Sequence, residues 1–244
     1  MTTLSGPDEI RPLRAVLFDV DFTLCKPGPL LGPEGYRRAG ERRGLDLDPQ
    51  RYVDARAAAV EDLKHHPELQ HDEEVWIRFT EDILRGMGGE GPGVRAVALE
   101  IVKAWEHSTN FELYEDAPPI LRELRRRRLK IGLVSNTSRD LGQFIDTFSL
   151  HVDAWVASGA HGKVKPSPSI FLAVLDSLEV TPAEAAMVGD SPEDDVEGAR
   201  SLGMRAFLLD REGRFPGRDD TLPDLFALPA ALGLGQGNGF RVTG

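Results

Sequence analysis

Apolar residues recur in two rhythms along this chain of 244 residues. Residues 15–20, AVLFDV, form an almost continuous apolar run that ends among acidic residues, the pattern of a strand buried on both faces of a parallel sheet. A turn-rich stretch over 25–35 follows, punctuated by Pro27, Gly28, Pro29, Gly32 and Pro33. The period then becomes helical, and the spacing predicts helices over 33–43, 49–65, 72–86 and 93–107, with breaks at 44–49, at Pro67 and at 86–93.

From Asp116 onward, helix and strand patterns alternate. A helix running to Arg128 leads into the apolar strand 130–135, KIGLVS, and then come a helix over 139–148 and a short strand over 153–157. Helix 168–178, strand 185–188 ending at Gly189-Asp190, helix 193–202 and strand 205–209 complete the series. Alternation of this kind implies right-handed crossovers, so the expected fold class is α/β, a doubly wound parallel sheet with helices on both faces. The all-helical block interrupts the alternation and reads as an insertion after the first strand. The glycine-rich end, 233–244, reads as a loose tail.

Composition narrows the function classes. A hydrophobic content of 41% is enough for one good core and a modest inserted unit. The formal net charge of -11 repels nucleic acid and anionic membranes, so neither is an expected partner. The single cysteine, Cys25, has no internal disulfide partner, which fits a reducing cytoplasm. The opening MTTLSGPDEIRPLR lacks the apolar core of a signal peptide, and no apolar run is long enough to cross a bilayer, so a cytoplasmic location is expected.

In an open parallel sheet, ligands bind outside the carboxyl ends of the strands. That rule gathers separate positions into one candidate site: Asp19, Asp21 and Thr23 after the first strand, Ser135-Asn136 after the second, and Gly189-Asp190-Ser191 with Asp194 and Asp195 after a later one. Lys163 and Lys165, in HGKVKP, lie in the loop that opens helix 168–178. Carboxylates are the hard oxygen ligands that magnesium accepts, with waters and substrate phosphate in the remaining positions. Asp19 and Asp190 would bind the ion by side chain and Asp21 by its backbone carbonyl. Attack by Asp19 on a phosphate ester would give an aspartyl phosphate. Asp21, two residues on along an extended backbone, would protonate the leaving oxygen and then activate water. Ser135, neighbouring amides and a lysine would hold the phosphate oxygens.

Plainer readings stand beside these. Aspartates are common at strand ends and turns. Ser135-Asn136-Thr137 could cap the next helix, and Ser191-Pro192 could be a cap and first helical residue. Cys25 reads as a small semi-buried residue, and His65, His66 and His71 as a solvated helix end without metal-ligand spacing. Trp76 and Trp105 fall on apolar helix stripes and read as core. The arginines 125–128 read as the solvated end of an amphipathic helix.

Taken together, the motifs resemble the haloacid dehalogenase superfamily. DVDFTL is similar to its first motif, Ser135-Asn136 to its second, Lys165-Pro166 to its third and GDSPEDDVEGA to its fourth, in the expected order across residues 19–199. The resemblance implies a Rossmann-like core, a helical cap inserted between the first and second motifs, and magnesium-dependent hydrolysis of a phosphate monoester on a small phosphorylated metabolite. It makes Asp19 the nucleophile, Asp21 the general acid and base, Ser135, Asn136 and Lys165 the phosphate-binding residues, and Asp190 a metal ligand. Asp195 aligns with the family's second acid of the fourth motif, an indirect ligand, ahead of Asp194. Lys165 is favoured over Lys163 because Pro166 follows it. An acid two residues after the nucleophile distinguishes the pattern from that of true dehalogenases. The expected domains are a core of residues 1–26 and 112–244 and a cap of 27–111. The alternatives are a scaffold or binding protein on the same fold, and a related phosphotransferase or phosphonate hydrolase.

Overall fold

The computed structural model describes residues 12–63 and 73–235. The histidine group His65, His66 and His71, and the residues 236–244 of the glycine-rich end, lie outside them. Two compact units emerge, one of Met1–Cys25, Leu113–Thr137 and Phe148–Gly244, the other of Lys26–Glu112 and Ser138–Thr147.

The first unit is built on six parallel strands. In chain order these are β1 (Ala15–Phe18), then, after the segments described below, β4 (Lys130–Ser135), β5 (Ala154–Ala157), β6 (Ala185–Gly189), β7 (Arg205–Leu209) and β8 (Thr221–Leu222), arranged in space as β5-β4-β1-β6-β7-β8. β1 is central because all four of its residues are apolar and fully buried, as a strand covered on both faces requires. Its register sets Phe18 opposite Leu133 on one side and Val188 on the other. The strand order turns back on either side of β1, so the ends of β1, β4 and β6 meet at the point where such sheets bind ligands.

Helices α5 (Ala117–Arg126), α7 (Ser158–His161), α8 (Pro168–Leu178), α9 (Gly198–Ser201) and α10 (Leu228–Ala231) complete this unit. Helix α8 starts on proline, whose fixed φ suits a first helical turn, and buries Ile170, Phe171, Val174, Leu175 and Leu178 against Leu17, Val134 and Met187. Each such side chain contributes about 1.5–3 kcal/mol when fully buried. Gly132 of β4 permits the close approach, since a Cβ there would lie 2.7 Å from Val174 Cγ1.

The second unit holds α1 (Pro33–Glu41), α2 (Tyr52–Leu63), α3 (Glu73–Gly86), α4 (Gly93–Trp105) and α6 (Leu141–Thr147). Its own core contains Tyr36, Leu47, Tyr52, Ile83, Leu84, Met87 and Val97, with Tyr36 and Tyr52 edge to face at 5.1 Å between ring centroids. Arg139 lies in the same unit, its guanidinium 3.9 Å from the Phe111 ring centroid. Two three-residue strands, β2 (Cys25–Pro27) and β3 (Phe111–Leu113), pair as a separate small sheet.

Several local expectations change. Trp76 is 38% exposed and packs edge to face on Phe79, so it is no core residue. Cys25 is fully buried. The arginine run is not simply solvated, because Arg125 pairs with both oxygens of Asp153 at 2.9 Å and Arg127 bonds Glu123 at 2.8 Å. The helix expected over 193–202 is a π-helix, Pro192–Glu197, followed by the short α9. No helix among the described residues is long and apolar enough to cross a membrane.

Candidate active site

The carboxyl ends of β1, β4 and β6 carry the site. Asp19 follows β1 directly and its backbone N–H continues the sheet, donating to the Val188 carbonyl at 2.9 Å. The chain then closes a tight loop: Leu24 and Cys25 donate back to the Val20 carbonyl at 2.8 and 3.0 Å, and Phe22 donates to Cys25 O at 2.7 Å with a left-handed φ of 62°. Cys25 Sγ donates toward Asp21 Oδ1 at 3.5 Å, so this loop also orients the second aspartate. Ser135 ends β4 and is buried.

After β6, Ser191 caps the π-helix, its hydroxyl accepting from Asp194 N at 3.2 Å, as the Ser-Pro pattern leads one to expect. Insertions of this wide helix type are frequent at functional sites. Here it turns Asp195 inward, where its Oδ2 accepts from Ser191 N at 3.0 Å.

Lys165 joins these pieces. Its ammonium, 3% exposed, donates to Asp19 Oδ1 and to Asp195 Oδ1, each at 2.6 Å. Lys163 is exposed. Asn136 holds the backbone of the same lysine: its Oδ1 accepts from Lys165 N at 2.7 Å and its Nδ2 donates to Lys165 O at 3.2 Å. Asn136 Nδ2 also approaches Asp194 Oδ2 at 3.4 Å.

Asp19, Asp190 and Asp195 each present an oxygen within 4.8 Å of the others. Like charges about 5 Å apart repel by about 3 kcal/mol at an effective dielectric constant near 20. The titration behaviour follows. Burial pushes the Asp19 carboxyl up, Lys165 pulls it back, and Asp195 and Asp190 push it up again. Burial and then Asp195 push Asp190 up to about 6, and burial pushes Asp194 up to about 6. Burial alone would lower Lys165, but Asp19 and Asp195 outweigh it and hold the ammonium protonated. Were the three carboxylates to release their protons to a cation, they and the one ammonium would carry two negative charges, and the donors are all hard oxygens. A dication such as magnesium fits that donor set in both charge and chemistry.

A neighbouring residue escaped the motif reading. Arg214, in the loop after β7, lies with Nη2 3.6 Å from Asp190 Oδ2 and is half exposed. Asp210 builds that loop by accepting from Arg214 N and Phe215 N at 2.8 and 2.9 Å. The only sequence signal for it was its place after a strand end, which does not single it out. Arg211 turns the other way, forming a two-pronged pair with Asp116 at 2.8 and 2.9 Å, donating to Thr23 O at 2.9 Å and stacking 3.8 Å from the Tyr114 ring centroid.

A family model described as haloacid dehalogenase-like hydrolase matches residues 13–203. The chain is 29% identical over 229 residues to haloacid dehalogenase-like hydrolase domain-containing protein 3 of Bos taurus, covering 89% of this chain and 90% of that one. It is 31% identical over 229 residues to the glyceraldehyde 3-phosphate phosphatase of Methanopyrus kandleri, covering 87% and 91%. Among solved structures, a HAD phosphatase from Thermococcus onnurineus superposes with a TM-score of 0.60 at 27% identity, covering 91% and 98%.

Proposed function

The chain belongs to the haloacid dehalogenase-like hydrolases, and from that membership we propose that it is a magnesium-dependent phosphatase that hydrolyses phosphate monoesters of small metabolites through an aspartyl phosphate on Asp19. The observation that carries the reading is the three-carboxylate cluster of Asp19, Asp190 and Asp195 around a buried Lys165, at the carboxyl ends of β1 and β6. The activities named for relatives such as the Methanopyrus kandleri glyceraldehyde 3-phosphate phosphatase point the same way.

Asp19 and Asp190 by side chain and Asp21 by its carbonyl would hold the ion, with Asp195 held behind them by Ser191 N and Lys165. Bound there, magnesium would neutralise part of the phosphate charge that otherwise repels an anionic nucleophile. An Asp19 oxygen attacks phosphorus, and the bond from phosphorus to the ester oxygen breaks. Asp21 delivers its proton to that leaving oxygen. The resulting aspartyl phosphate divides one difficult displacement into two. Asp21, now a carboxylate, takes a proton from water as the water oxygen attacks phosphorus. The bond to Asp19 breaks, and inorganic phosphate leaves. Ser135 and Lys165 hold the phosphate oxygens during both steps. The helical unit corresponds to the cap of the family pattern, inserted after β1.

The test is phosphate release from an aryl phosphate and a metabolite panel, with and without magnesium, for the wild-type protein and Asp19→Asn. Magnesium-dependent release that disappears in Asp19→Asn is expected. Release that persists in the variant would sink the covalent mechanism, and no release from any ester would sink the phosphatase reading.

A further inference from the structure

We propose that the Asn136 side chain is a positioning group for Lys165: its amide clamps the backbone of that lysine, so the side chain acts on the reaction through the lysine ammonium and makes no contact of its own with the phosphate. The inference rests on the phosphatase reading only for its kinetic part.

A carboxamide offers one carbonyl oxygen and two N–H donors. In Asn136 the oxygen accepts from Lys165 N at 2.7 Å and the nitrogen donates to Lys165 O at 3.2 Å. Both backbone groups of one residue are therefore bound by one side chain, which fixes the position and the direction of the backbone at that residue. The remaining donor capacity faces Asp194 Oδ2 at 3.4 Å. The oxygen and the nitrogen of the amide are thus both engaged by protein groups.

The need for such a clamp follows from where Lys165 sits. Its backbone belongs to the loop between α7 and α8, just after Gly162 with a left-handed φ of 82° and the exposed Lys163. Its ammonium must cross to Asp19 and Asp195, on two other segments of the chain. A lysine side chain carries about 2 kcal/mol of rotamer entropy, so it finds two carboxylates reliably only when its root is fixed. Asn136 supplies that root from the end of β4, the most central neighbour of β1 on that side. Groups that hold a functional side chain in place act through geometry, and a displacement of about 1 Å at a reacting centre costs on the order of 100-fold in rate.

Two readouts decide the matter. The first is the crystal structure of Asn136→Ala, which needs no turnover. Lys165 Nζ is expected to leave hydrogen-bond distance of Asp19 or Asp195. A lysine still bonded to both carboxylates overturns the proposal, whatever the protein hydrolyses. The second is a double-mutant cycle on phosphate release in the presence of magnesium, read at high enzyme concentration. Asn136→Ala is expected to lower kcat/KM by about 100-fold in the wild-type background and by less than about 3-fold when Lys165 is already methionine, since two residues that act through one group are not additive. Equal factors in both backgrounds overturn the proposal, because a direct contact with substrate or a general loss of folding would act with or without the lysine. Loss of activity in the wild type itself bears on the phosphatase reading alone, and the crystal structure still decides the clamp.

Discussion

Gly189 is glycine because Asp195 occupies the space where its side chain would be: a Cβ on residue 189 would lie 2.1 Å from Asp195 Oδ2 and 2.6 Å from Asp195 Cβ. The carboxylate cannot step aside cheaply, since its two oxygens are held by Lys165 Nζ and Ser191 N. Overpacking of this kind costs about 1–3 kcal/mol. Gly189→Ala is therefore expected to lower the thermal midpoint and, by moving Asp195 and with it Lys165, to reduce phosphate release by about 100-fold. Calorimetry and a rate assay check this. A variant with wild-type midpoint and rate would show that the β6 turn adjusts freely.

The pair of Arg211 with Asp116, 95 residues apart in sequence, binds the loop after β7 to the start of α5. Asp116 Oδ2 also accepts from Leu225 N at 2.8 Å, so the carboxylate serves three donors. Removing one partner of a buried pair costs about 3–5 kcal/mol, and the partial exposure of Arg211 places the expected loss at the lower end, about 3 kcal/mol for Asp116→Ala. Urea unfolding measures it. Arg211→Met combined with Asp116→Leu is expected to lose less than the sum of the two single changes, because neither then leaves an isolated buried charge. Strict additivity would mean that the pair is not a coupled unit.

Much of the catalytic unit was legible because its signals are local. The strand 130–135, helix 168–178 and strand 205–209 occupy the expected residues, and one topological rule brought Asp19, Ser135 and Asp190 to neighbouring strand ends. What escaped depends on contacts between distant segments. Residues 138–147 follow β4 directly yet group with the helical unit, where Arg139 stacks on Phe111, and no periodicity in ten residues encodes that. The π-helix differs from an α-helix by a fraction of a residue per turn, too little to read over the six residues of Pro192–Glu197. Trp76 lies on an apolar stripe, but a stripe says which face of a helix is apolar and not whether the packing reaches its edge. Strands β2 and β3 have three residues each, and β2 ends in proline, so neither gives a strand signal.

The two lysines of HGKVKP, of which Lys165 is favoured in sequence because Pro166 follows it, are unlike in space. Lys165 is buried between two carboxylates, whereas Lys163 is exposed. Lys163→Met is expected to leave stability within about 0.5 kcal/mol, as for ordinary surface changes, and phosphate release essentially as in the wild type. Lys165→Met is expected to reduce release by about 100- to 1000-fold, the usual effect of losing one group that stabilises developing charge. If the larger loss fell on Lys163, the assignment of the phosphate-binding lysine would be reversed.

The crowding of carboxylates is also expected to make stability depend on pH and on metal together. Asp190 and Asp194 are each raised to about 6 on folding, from an ordinary value near 3.8, chiefly by burial. An acid with a raised folded value binds its proton more tightly in the folded state, so the sign is fixed. Its cost is absent below the unfolded value, grows as pH rises from about 4 to about 6, and is complete above that. In chelator, the contribution of these two groups therefore makes the protein less stable at pH 7.5 than at pH 5. Magnesium held by the Asp19 and Asp190 carboxylates would remove the repulsion between them and, by binding only the folded chain, would add about 2.7 kcal/mol at a concentration 100 times its dissociation constant. Thermal melts in chelator and in magnesium at the two pH values check both points: the rise with magnesium should be larger at pH 7.5, where the carboxylates are ionised. Asp190→Asn is expected to raise the metal-free midpoint at pH 7.5 and to shrink the response to magnesium. A midpoint indifferent to magnesium at both pH values would show that the three carboxylates do not form a cation site.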